Sequence, residues 1–411
     1  MALEESAPQG SPSGRARLCW AGAGLALAAL LATVEYLLQH DDPYWAMDLR
    51  VYEAAGQLAR HGHSPYPHTL THGLYFTYPP FTALLLVPLS FAGTAVDFFV
   101  VSMISLLAFE GALWCSLKLL KVSGMHTRAA LTLAATATLT WLDPVHDTLR
   151  LGQLNLLLML MVIADMAREP PRWKGGLIGL ATGIKLLPGI FLIYLLVTRR
   201  TRTALTGLAA FLCTVLLGFV FLPGPSWDYW TRFVFEFDRV GDPQNHYSQS
   251  LRSALARVLH SVSGLTAPWL LTALAVTVIG TWAAVLADRR DQPLLALTTM
   301  GVVGALVSPI SWDHYWVWIA PGLILLVRFC LSPDRPWAWR VVALAVAAGL
   351  TVVFTVRPFD IATHDPREEL RLPWTTQLSV NCYTVTGTAA LFFLLALELA
   401  PALTKRRRRS P

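Results

Sequence analysis

Long uninterrupted apolar blocks constrain this chain more than any other feature of its sequence. The blocks recur along 411 residues, and runs of about 20 apolar residues are long enough to cross a bilayer as helices. A spanning β-barrel would show alternating apolar and polar positions instead. Because backbone groups in lipid must be paired within their own helix, the pattern predicts an all-α, polytopic integral membrane protein. The low charged fraction, 14%, agrees, since soluble domains carry about 25%.

The basic residues predict which face each loop occupies. The formal net charge of +6 comes from short clusters between apolar blocks and from the tail Lys405 to Arg409. Basic loops of this kind are typical of the cytoplasmic face. We therefore predict a multi-pass protein of the plasma (inner) membrane, with both termini inside and no nucleic-acid partner. The five cysteines have no metal-ligand spacing and are interpreted as small core residues.

These rules divide the chain into three parts. We predict a disordered cytoplasmic N-terminus (1–17), a single transmembrane domain (18–400) and a basic cytoplasmic tail (401–411). The domain is expected to hold about 12 membrane segments, beginning with a retained helix rather than a cleaved signal peptide. An extracytoplasmic loop (39–97) follows, in which the apolar run at 79–92 is too short for an ordinary crossing and is interpreted as an interfacial helix.

The number of full membrane crossings stays open in two stretches, 78–117 and 175–197. The second is flanked by basic clusters and broken by Pro188-Gly189, and we interpret it as a short helical hairpin. With this topology the polar segments collect on the outer face, and we expect the chemistry to take place there. These segments are 39–78, 143–153, 223–264, 308–315 and 357–378.

Several polar residues are candidates for that chemistry. Asp48 follows the first helix and could act as a general base toward an acceptor hydroxyl. The alternatives are that Asp48 is a solvated loop acid, or that the base is Asp41, Asp42 or Asp313. Arg150 could bind a phosphate through its planar guanidinium, or its segment could serve only to cap helices. Lys185 lies inside an apolar segment and requires a partner, either a lipid phosphate or a carboxylate.

Two aromatic-rich segments add further candidates. Amides and hydroxyls between Asn245 and Ser250 suit sugar recognition, although an interfacial aromatic belt would explain the rings. The segment Ser308–Trp316 also holds Asp313 and His314, which a belt alone does not explain. The sequence has no Walker motif or glycine-rich nucleotide loop, so we expect neither a nucleotide donor nor ATP-driven transport.

An ordered set of short motifs resembles the GT-C superfamily of membrane glycosyltransferases. The chain looks most like the polyprenol-phosphate-mannose-dependent α-(1,2)-mannosyltransferases of actinobacterial envelopes. The matching pieces are Asp48-Leu-Arg-Val-Tyr52, Tyr78-Pro-Pro-Phe81, Gly152-Gln-Leu-Asn155, Gly179-Leu-Ala-Thr-Gly-Ile-Lys-Leu-Leu-Pro188, Gln249-Ser-Leu251 and Ser308-Pro-Ile-Ser-Trp-Asp-His314. They run in order across about two thirds of the chain.

The resemblance implies an inverting transfer with a catalytic first extracytoplasmic loop. Mannose would pass from polyprenyl-phosphate-mannose to a phosphatidylinositol mannoside or lipomannan, forming an α-1,2 linkage, with Asp48 as the base. The groups expected at the donor phosphate are His314, Lys185 and Arg150. The expected substrate-binding residues are Tyr52, Tyr78, Gln153, Asn155, Gln249, Trp312 and Asp313. No metal and no cofactor beyond the lipid-linked donor are implied.

Two alternatives to this function remain at the level of sequence. Related enzymes use decaprenyl-phosphate arabinose, so an arabinofuranosyltransferase is the nearer one. A lipid or sugar transporter is the more distant one, and it should centre its polar residues at the membrane midplane. The acceptor, the linkage and the oligomeric state are not predicted from the sequence alone.

Overall fold

A computed structural model of the chain describes residues 14–169, 173–361 and 366–407. Most of the predicted disordered N-terminus (residues 1–13) and the end of the basic tail (residues 408–411) lie outside the described residues. Within them the protein is built from helices and contains no strand. One isolated antiparallel bridge pairs Ser248 with Trp312. The all-α prediction is confirmed.

Nineteen α-helices are defined in the described part of the chain. In order they are α1 (Gly14–Gln39), α2 (Met47–Arg60), α3 (Pro80–Leu85), α4 (Thr94–Leu119), α5 (Met125–Leu139), α6 (Asp143–Leu151), α7 (Asn155–Ala167), α8 (Gly176–Ile184), α9 (Ile190–Val197), α10 (Thr201–Phe221), α11 (Pro223–Thr231), α12 (Leu251–Val258), α13 (Thr266–Arg289), α14 (Pro293–Val307), α15 (Ile319–Cys330), α16 (Trp337–Val356), α17 (Pro366–Glu369), α18 (Trp374–Val380) and α19 (Cys382–Arg407). Short 3-10 helices join several of them, including Val87–Ser90, Leu187–Gly189 and Asp313–Trp318.

Five of the described helices, α1, α4, α10, α13 and α16, are long and apolar enough to cross a membrane. Two bent pairs raise the number to seven if each pair is one span: α6 with α7, bent by 119°, and α18 with α19, bent by 75°. Shorter apolar helices cover Leu187–Val197 and Pro293–Val307. The protein is therefore a multi-pass membrane protein, whereas the predicted number of about 12 segments stays a prediction.

Three of the predicted polar segments contain helices. Residues 39–78 include α2, residues 143–153 are mostly α6, and residues 223–264 include α11 and α12. Residues 143–153 form a helix because Asp143 and Pro144 suit a first helical turn, where a missing N–H breaks no hydrogen bond. In α2 and α6 the candidate side chains are consequently held on rigid elements.

The short apolar run at 79–92 and the interrupted segment at 175–197 form broken helices. The first consists of α3 and the 3-10 helix Val87–Ser90, neither long enough to cross a bilayer. The second is α8 and α9, separated at Lys185 and the 3-10 turn Leu187–Gly189. The Thr82 hydroxyl donates to the Ile184 carbonyl oxygen at 2.6 Å, which satisfies an end of α8 and ties α3 to the break.

Gly152 ends α6 and packs against α2. Its φ of +73° is the left-handed conformation that ends α6, and the Gln153 N–H returns to the Thr148 carbonyl oxygen at 2.8 Å. A Cβ on this residue would also lie 2.7 Å from Cβ of Leu49. Glycine is therefore required twice, for the turn and for the close approach of α2 that brings Asp48 beside Gln153.

One large core cluster links most of the long helices. It contains residues of α1, α4, α6, α7, α9, α13, α14, α16 and α19, together with the aromatic segment before α15. Gly301 on α14 lets the Trp318 ring pack against the helix backbone, because a Cβ there would lie 2.1 Å from the ring. This contact fixes the 3-10 helix Asp313–Trp318, whose first residues contribute to the candidate site.

Candidate active site

The motifs identified in the sequence converge on one partly buried polar centre. Asp48 comes from the first turn of α2, and Gln153 and Asn155 from the start of α7. Lys185 comes from the break between α8 and α9, and His314 from the 3-10 helix before α15. Segments far apart in the chain therefore supply one group each, and all of them lie at helix ends or breaks.

A hydrogen-bond network surrounds Asp48. The Gln153 amide Nε2 donates to Asp48 Oδ2 at 2.8 Å, and Gln153 Oε1 lies 2.8 Å from the Tyr52 hydroxyl and 3.0 Å from that of Tyr78. The two hydroxyls are 2.7 Å apart. Since Oε1 accepts from the tyrosines, the amide must present its N–H₂ to Asp48, which orients the carboxylate as an acceptor. Asp48 itself stays partly exposed.

The surroundings of Asp48 favour its action as a base. Burial raises the pKa of its carboxyl above the ordinary value of 3.8, and the charges of His314 and Lys185 and the hydrogen bond from Gln153 oppose that rise. A carboxylate with a raised pKa binds a proton more readily than a free one. The carboxylate can therefore accept a proton from a hydroxyl placed beside it.

Lys185 supplies a cation to the same centre. Its Nζ donates to Asn155 Oδ1 at 3.0 Å and lies 3.6 Å from the centre of the Tyr315 ring. The residue is 8% exposed and has no carboxylate within salt-bridge distance among the described residues. It borders a cavity of about 30 Å³ that α7, α9, α14 and the Tyr315–Trp318 segment line with largely apolar side chains. A buried ammonium without an acid partner is suited to an anionic ligand.

His314 completes the centre from the opposite side of Asn155. The Asn155 side-chain N–H donates to the His314 carbonyl oxygen at 2.8 Å, so one amide fixes both cationic residues. The ring nitrogens of His314 have no hydrogen-bond partner within the described protein, although the residue is only 3% exposed. Burial opposes protonation, but the carboxylates of Asp147 and Asp313 outweigh it and raise the pKa of His314 to about 9.

Sequence comparison agrees with this convergence of motifs. The family model for glycosyltransferase family 87 matches residues 76–309, more than half of the chain. The chain belongs to glycosyltransferase family 87. It is therefore an enzyme, a glycosyltransferase, as predicted.

Curated relatives of this family 87 enzyme cover most of its length. A polyprenol-phosphate-mannose-dependent α-(1-2)-phosphatidylinositol mannoside mannosyltransferase of Mycobacterium tuberculosis is 31% identical over 98% of this chain and 94% of its own. The Mycolicibacterium smegmatis protein of the same name is 33% identical over 75% of each chain. A phosphatidylinositol pentamannoside mannosyltransferase of M. tuberculosis is 31% identical over 88% of this chain and 84% of its own. These matches confirm the resemblance to polyprenol-phosphate-mannose-dependent α-(1,2)-mannosyltransferases that the motifs indicated.

One solved structure is similar in outline to the family 87 enzyme. It is the crystal structure of ArnT from Cupriavidus metallidurans bound to undecaprenyl phosphate. The two chains are 16% identical, and the match covers 92% of this chain and 77% of the other, with a TM-score of 0.38.

Not every predicted site residue of the family 87 enzyme faces the centre. Arg150 is held by two acids, with Nη1 2.8 Å from Asp42 Oδ2 and Nη2 2.6 Å from Asp147 Oδ1. Asp313 accepts from the backbone N–H of His314 at 2.8 Å and lies against its ring. Trp312 is partly exposed and packs against Gly241. The predicted substrate contacts of these residues stay predictions.

Gln249, which its motif predicts to bind substrate, has its side-chain amide paired within the protein. It is fully buried; Nε2 donates to the carbonyl oxygens of His246 and Val380, both at 2.7 Å, and Oε1 accepts from the Tyr383 N–H at 3.1 Å. Every polar atom of the amide is thus used within the protein. Its predicted contact with substrate remains untested, and in this structure the residue joins two segments.

The sequence analysis assigned no role to two residues that border the centre. Asp147 faces His314 from α6, and Tyr315 stacks its ring under Lys185. Asp147 lies three residues before Arg150, which on a helix places the two side chains on one face and could have revealed the pair. No sequence pattern indicates the Tyr315 contact, because it depends on the break at Lys185.

One group of donor atoms is compact enough to share a cation among the described residues. It consists of Asp147, Asp313 and His314, all buried. Arg150 already binds Asp147, and Arg357 lies 3.8 Å from Asp313. The two carboxylates therefore already have cationic neighbours, and the expected absence of a metal stays a prediction.

Proposed function

We propose that this family 87 enzyme transfers mannose from polyprenyl-phosphate-mannose to a phosphatidylinositol mannoside, forming an α-1,2 linkage with inversion. The names of the curated relatives support the donor, the acceptor class and the linkage. The observation that carries the chemistry is one partly exposed carboxylate, Asp48, facing two cationic groups, Lys185 and His314, across a small centre. Lipomannan is a second acceptor of the same class.

The reaction divides between these groups. An acceptor hydroxyl attacks the anomeric carbon of the donor, Asp48 takes its proton, and a new C–O bond forms. The bond from the anomeric carbon to the phosphate oxygen breaks, and the electron pair leaves with the polyprenyl phosphate. One displacement turns a β-linked donor into an α-linked product, so one base is sufficient and no second carboxylate is needed as a nucleophile.

Lys185 and His314 are the groups that would stabilise the leaving phosphate. Cationic groups placed where negative charge develops lower the barrier of such a step. Gln153 binds Asp48 and is itself held by the hydroxyls of Tyr52 and Tyr78. We propose that these three residues border the space in which an acceptor sugar would lie. Because two cations already face the phosphate position, we propose that transfer needs no metal, and EDTA should leave the activity of purified enzyme unchanged.

A donor comparison tests the proposal. Purified enzyme would be incubated separately with radiolabelled polyprenyl-phosphate mannose and arabinose and with phosphatidylinositol mannosides, and the product linkage determined by NMR. We expect label only from the mannose donor and an α-1,2 product. Labelling from the arabinose donor alone would favour the arabinofuranosyltransferase instead. The transporter alternative predicts no product at all, and membership of a glycosyltransferase family argues against it.

We also propose that the centre faces the extracytoplasmic side of the plasma membrane. The placement of basic clusters supports this sidedness. Single cysteines at positions 62 and 408, in a cysteine-free background, should react with an impermeant reagent from opposite sides of the membrane. Labelling of both positions from one side would contradict the topology and the location of the site with it.

A further inference from the structure

The surroundings of His314 are asymmetric in a way that the proposed function does not explain. Its ring Nδ1 lies 3.3 Å from Asp313 Oδ1 and 3.7 Å from Asp147 Oδ2, distances of ion pairs rather than of good hydrogen bonds. The acids occupy the Nδ1 side of the ring. Nε2 is therefore the nitrogen that can donate to a ligand, and it has no partner in the described protein.

Asp147 is itself held in place by a longer chain of charges. Arg150 Nε donates to Asp147 Oδ1 at 2.7 Å, and Arg150 Nη1 donates to Asp42 Oδ2 at 2.8 Å. The guanidinium thus occupies one oxygen of Asp147 and leaves Oδ2 directed to the imidazole. Asp147 is buried, whereas the side chain of Asp42 is 27% exposed. The chain therefore runs from the surface to His314.

A protonated imidazole adds a positive charge to a cluster that is rich in carboxylates. Three buried carboxylates, those of Asp143, Asp147 and Asp313, meet two guanidiniums, Arg150 and Arg357. Protonated His314 supplies the third positive charge. The charged groups that face it are Asp147, Asp143 and Arg150 from α6, Asp48 from α2, Lys185 from the α8–α9 break, Asp313 beside it and Arg357 after α16.

We propose that Asp42, Arg150 and Asp147 form a positioning relay, which orients His314 and keeps it charged so that Nε2–H faces the donor phosphate. In this assignment Arg150 does not touch the phosphate; it acts through Asp147. The inference rests on the proposed function only in requiring a ligand with a phosphate group. It assigns Asp147 a role that neither its sequence context nor the family relationship supplies.

The pH dependence of phosphate binding by the full-length protein tests the relay. Binding of undecaprenyl phosphate to purified enzyme in detergent would be titrated from pH 6 to pH 11. Wild-type binding should weaken in two steps as the pH rises: through about 7, to which burial lowers the pKa of Lys185, and through about 9, the pKa of His314. Asp147→Asn removes a charge that faces His314, so the upper midpoint should fall by about one unit or more. An unchanged midpoint in a folded Asp147→Asn protein would overturn the relay.

Two further variants serve as controls for the Asp147→Asn measurement. Asp165→Asn removes another buried carboxylate, one that accepts from the Gly175 and Ile178 N–H groups at the far end of α7. It should lower thermal stability without moving the pH midpoint, which shows that loss of a buried acid alone is not the cause. If Asp147→Asn does not fold, Asp42→Asn at the exposed end should move the midpoint in the same direction by a smaller amount.

A double variant separates the relay from direct binding by Arg150. If Arg150 acts only through Asp147, Arg150→Gln combined with Asp147→Asn should be no worse than the more damaging single variant. Additive losses would overturn the relay, because they would indicate that Arg150 binds phosphate itself. A stoichiometric metal in the wild-type protein that is lost in Asp147→Asn would overturn it too, since an ion would then replace the proton on His314.

The relay and the proposed function can fail separately. If wild-type protein binds undecaprenyl phosphate with the expected midpoint shift but transfers no mannose, the relay stands and the proposed function is wrong. If mannose is transferred and the Asp147→Asn midpoint is unchanged, the relay alone is wrong.

Discussion

Two polar networks in this protein differ in how completely their groups are paired. In the network around Arg257, the buried guanidinium donates to Asn381 Oδ1 at 2.8 and 3.0 Å and to the carbonyl oxygens of Asn245 and Ser248. Gln249 uses all its amide atoms there as well. In the centre around Asp48, by contrast, the ring nitrogens of His314 have no hydrogen-bond partner in the described protein.

The difference separates a structural network from a candidate site. Buried polar groups that are fully paired make a fold specific, whereas a buried group without a partner costs stability unless a ligand pairs with it. The first network holds the segment before His314 in place: the Gln249 N–H donates to the Ser311 carbonyl oxygen, and the Asp313 N–H to that of Tyr247. In the second network, Nε2 of His314 has no hydrogen-bond partner in the described protein and can donate to a ligand.

The largest expected effect is on Asp48. Asp48→Asn keeps the size of the side chain and removes its basicity, and a positioned base is typically worth about 10²–10⁴-fold in rate. We expect a nearly inactive enzyme that folds and still binds the donor, measured as mannose transfer at equal protein abundance. The matched variants Asp41→Asn, Asp42→Asn and Asp313→Asn should each retain more activity. Substantial turnover by Asp48→Asn would show that another acid is the base.

The cationic side of the centre should give a smaller loss. A hydrogen bond to a charged group is worth about 1.5–3 kcal/mol, so His314→Ala and Lys185→Gln should each reduce kcat/KM by about ten- to a hundredfold. Thermal unfolding should be measured in parallel, because His314→Ala also removes the positive charge beside the buried carboxylates of Asp147 and Asp313. Normal donor kinetics in both variants would place these residues in the structural network instead.

The activity should also depend on pH in a bell-shaped manner. Transfer requires Asp48 deprotonated, and burial raises the pKa of its carboxyl, so the acid limb should lie above that of a free aspartate. Transfer is also helped by protonated Lys185 and His314, so activity should start to fall as the pH rises through about 7, to which burial lowers the pKa of Lys185, and fall further through about 9, the pKa of His314. The measurement is kcat/KM against pH, and a rate that stays constant to pH 10 would contradict the role of His314.

The smallest effect on activity is expected in the paired network. Gln249→Ala leaves carbonyl oxygens without a partner, and each lost bond of this kind costs about 1–3 kcal/mol of stability. We expect a lower melting temperature in detergent and an unchanged KM for the donor. A raised KM with an unchanged melting temperature would show that Gln249 contacts substrate, and the distinction between the two networks would then fail.

The sequence by itself determined the class of fold and most members of the site. Apolar blocks separated by basic clusters predict a multi-pass helical protein because lipid leaves a backbone no other partner than its own helix. Lys185 was identified because a charge inside an apolar segment is costly, and His314 because an aromatic belt does not explain it. The expected roles of Asp48, Gln153 and Asn155 came from the resemblance of their motifs to the GT-C enzymes. These five are the residues that the structure brings together.

Only the tertiary structure decided how these residues are paired. Arg150 and Gln249 looked equivalent to the other candidates in the sequence, yet the first is held by Asp42 and Asp147 and the second by backbone groups near Tyr383. Their partners lie up to 134 residues away in the chain. A pattern of residue types shows which groups can form hydrogen bonds. Which of them are already used depends on contacts between distant segments, and only folding creates those contacts.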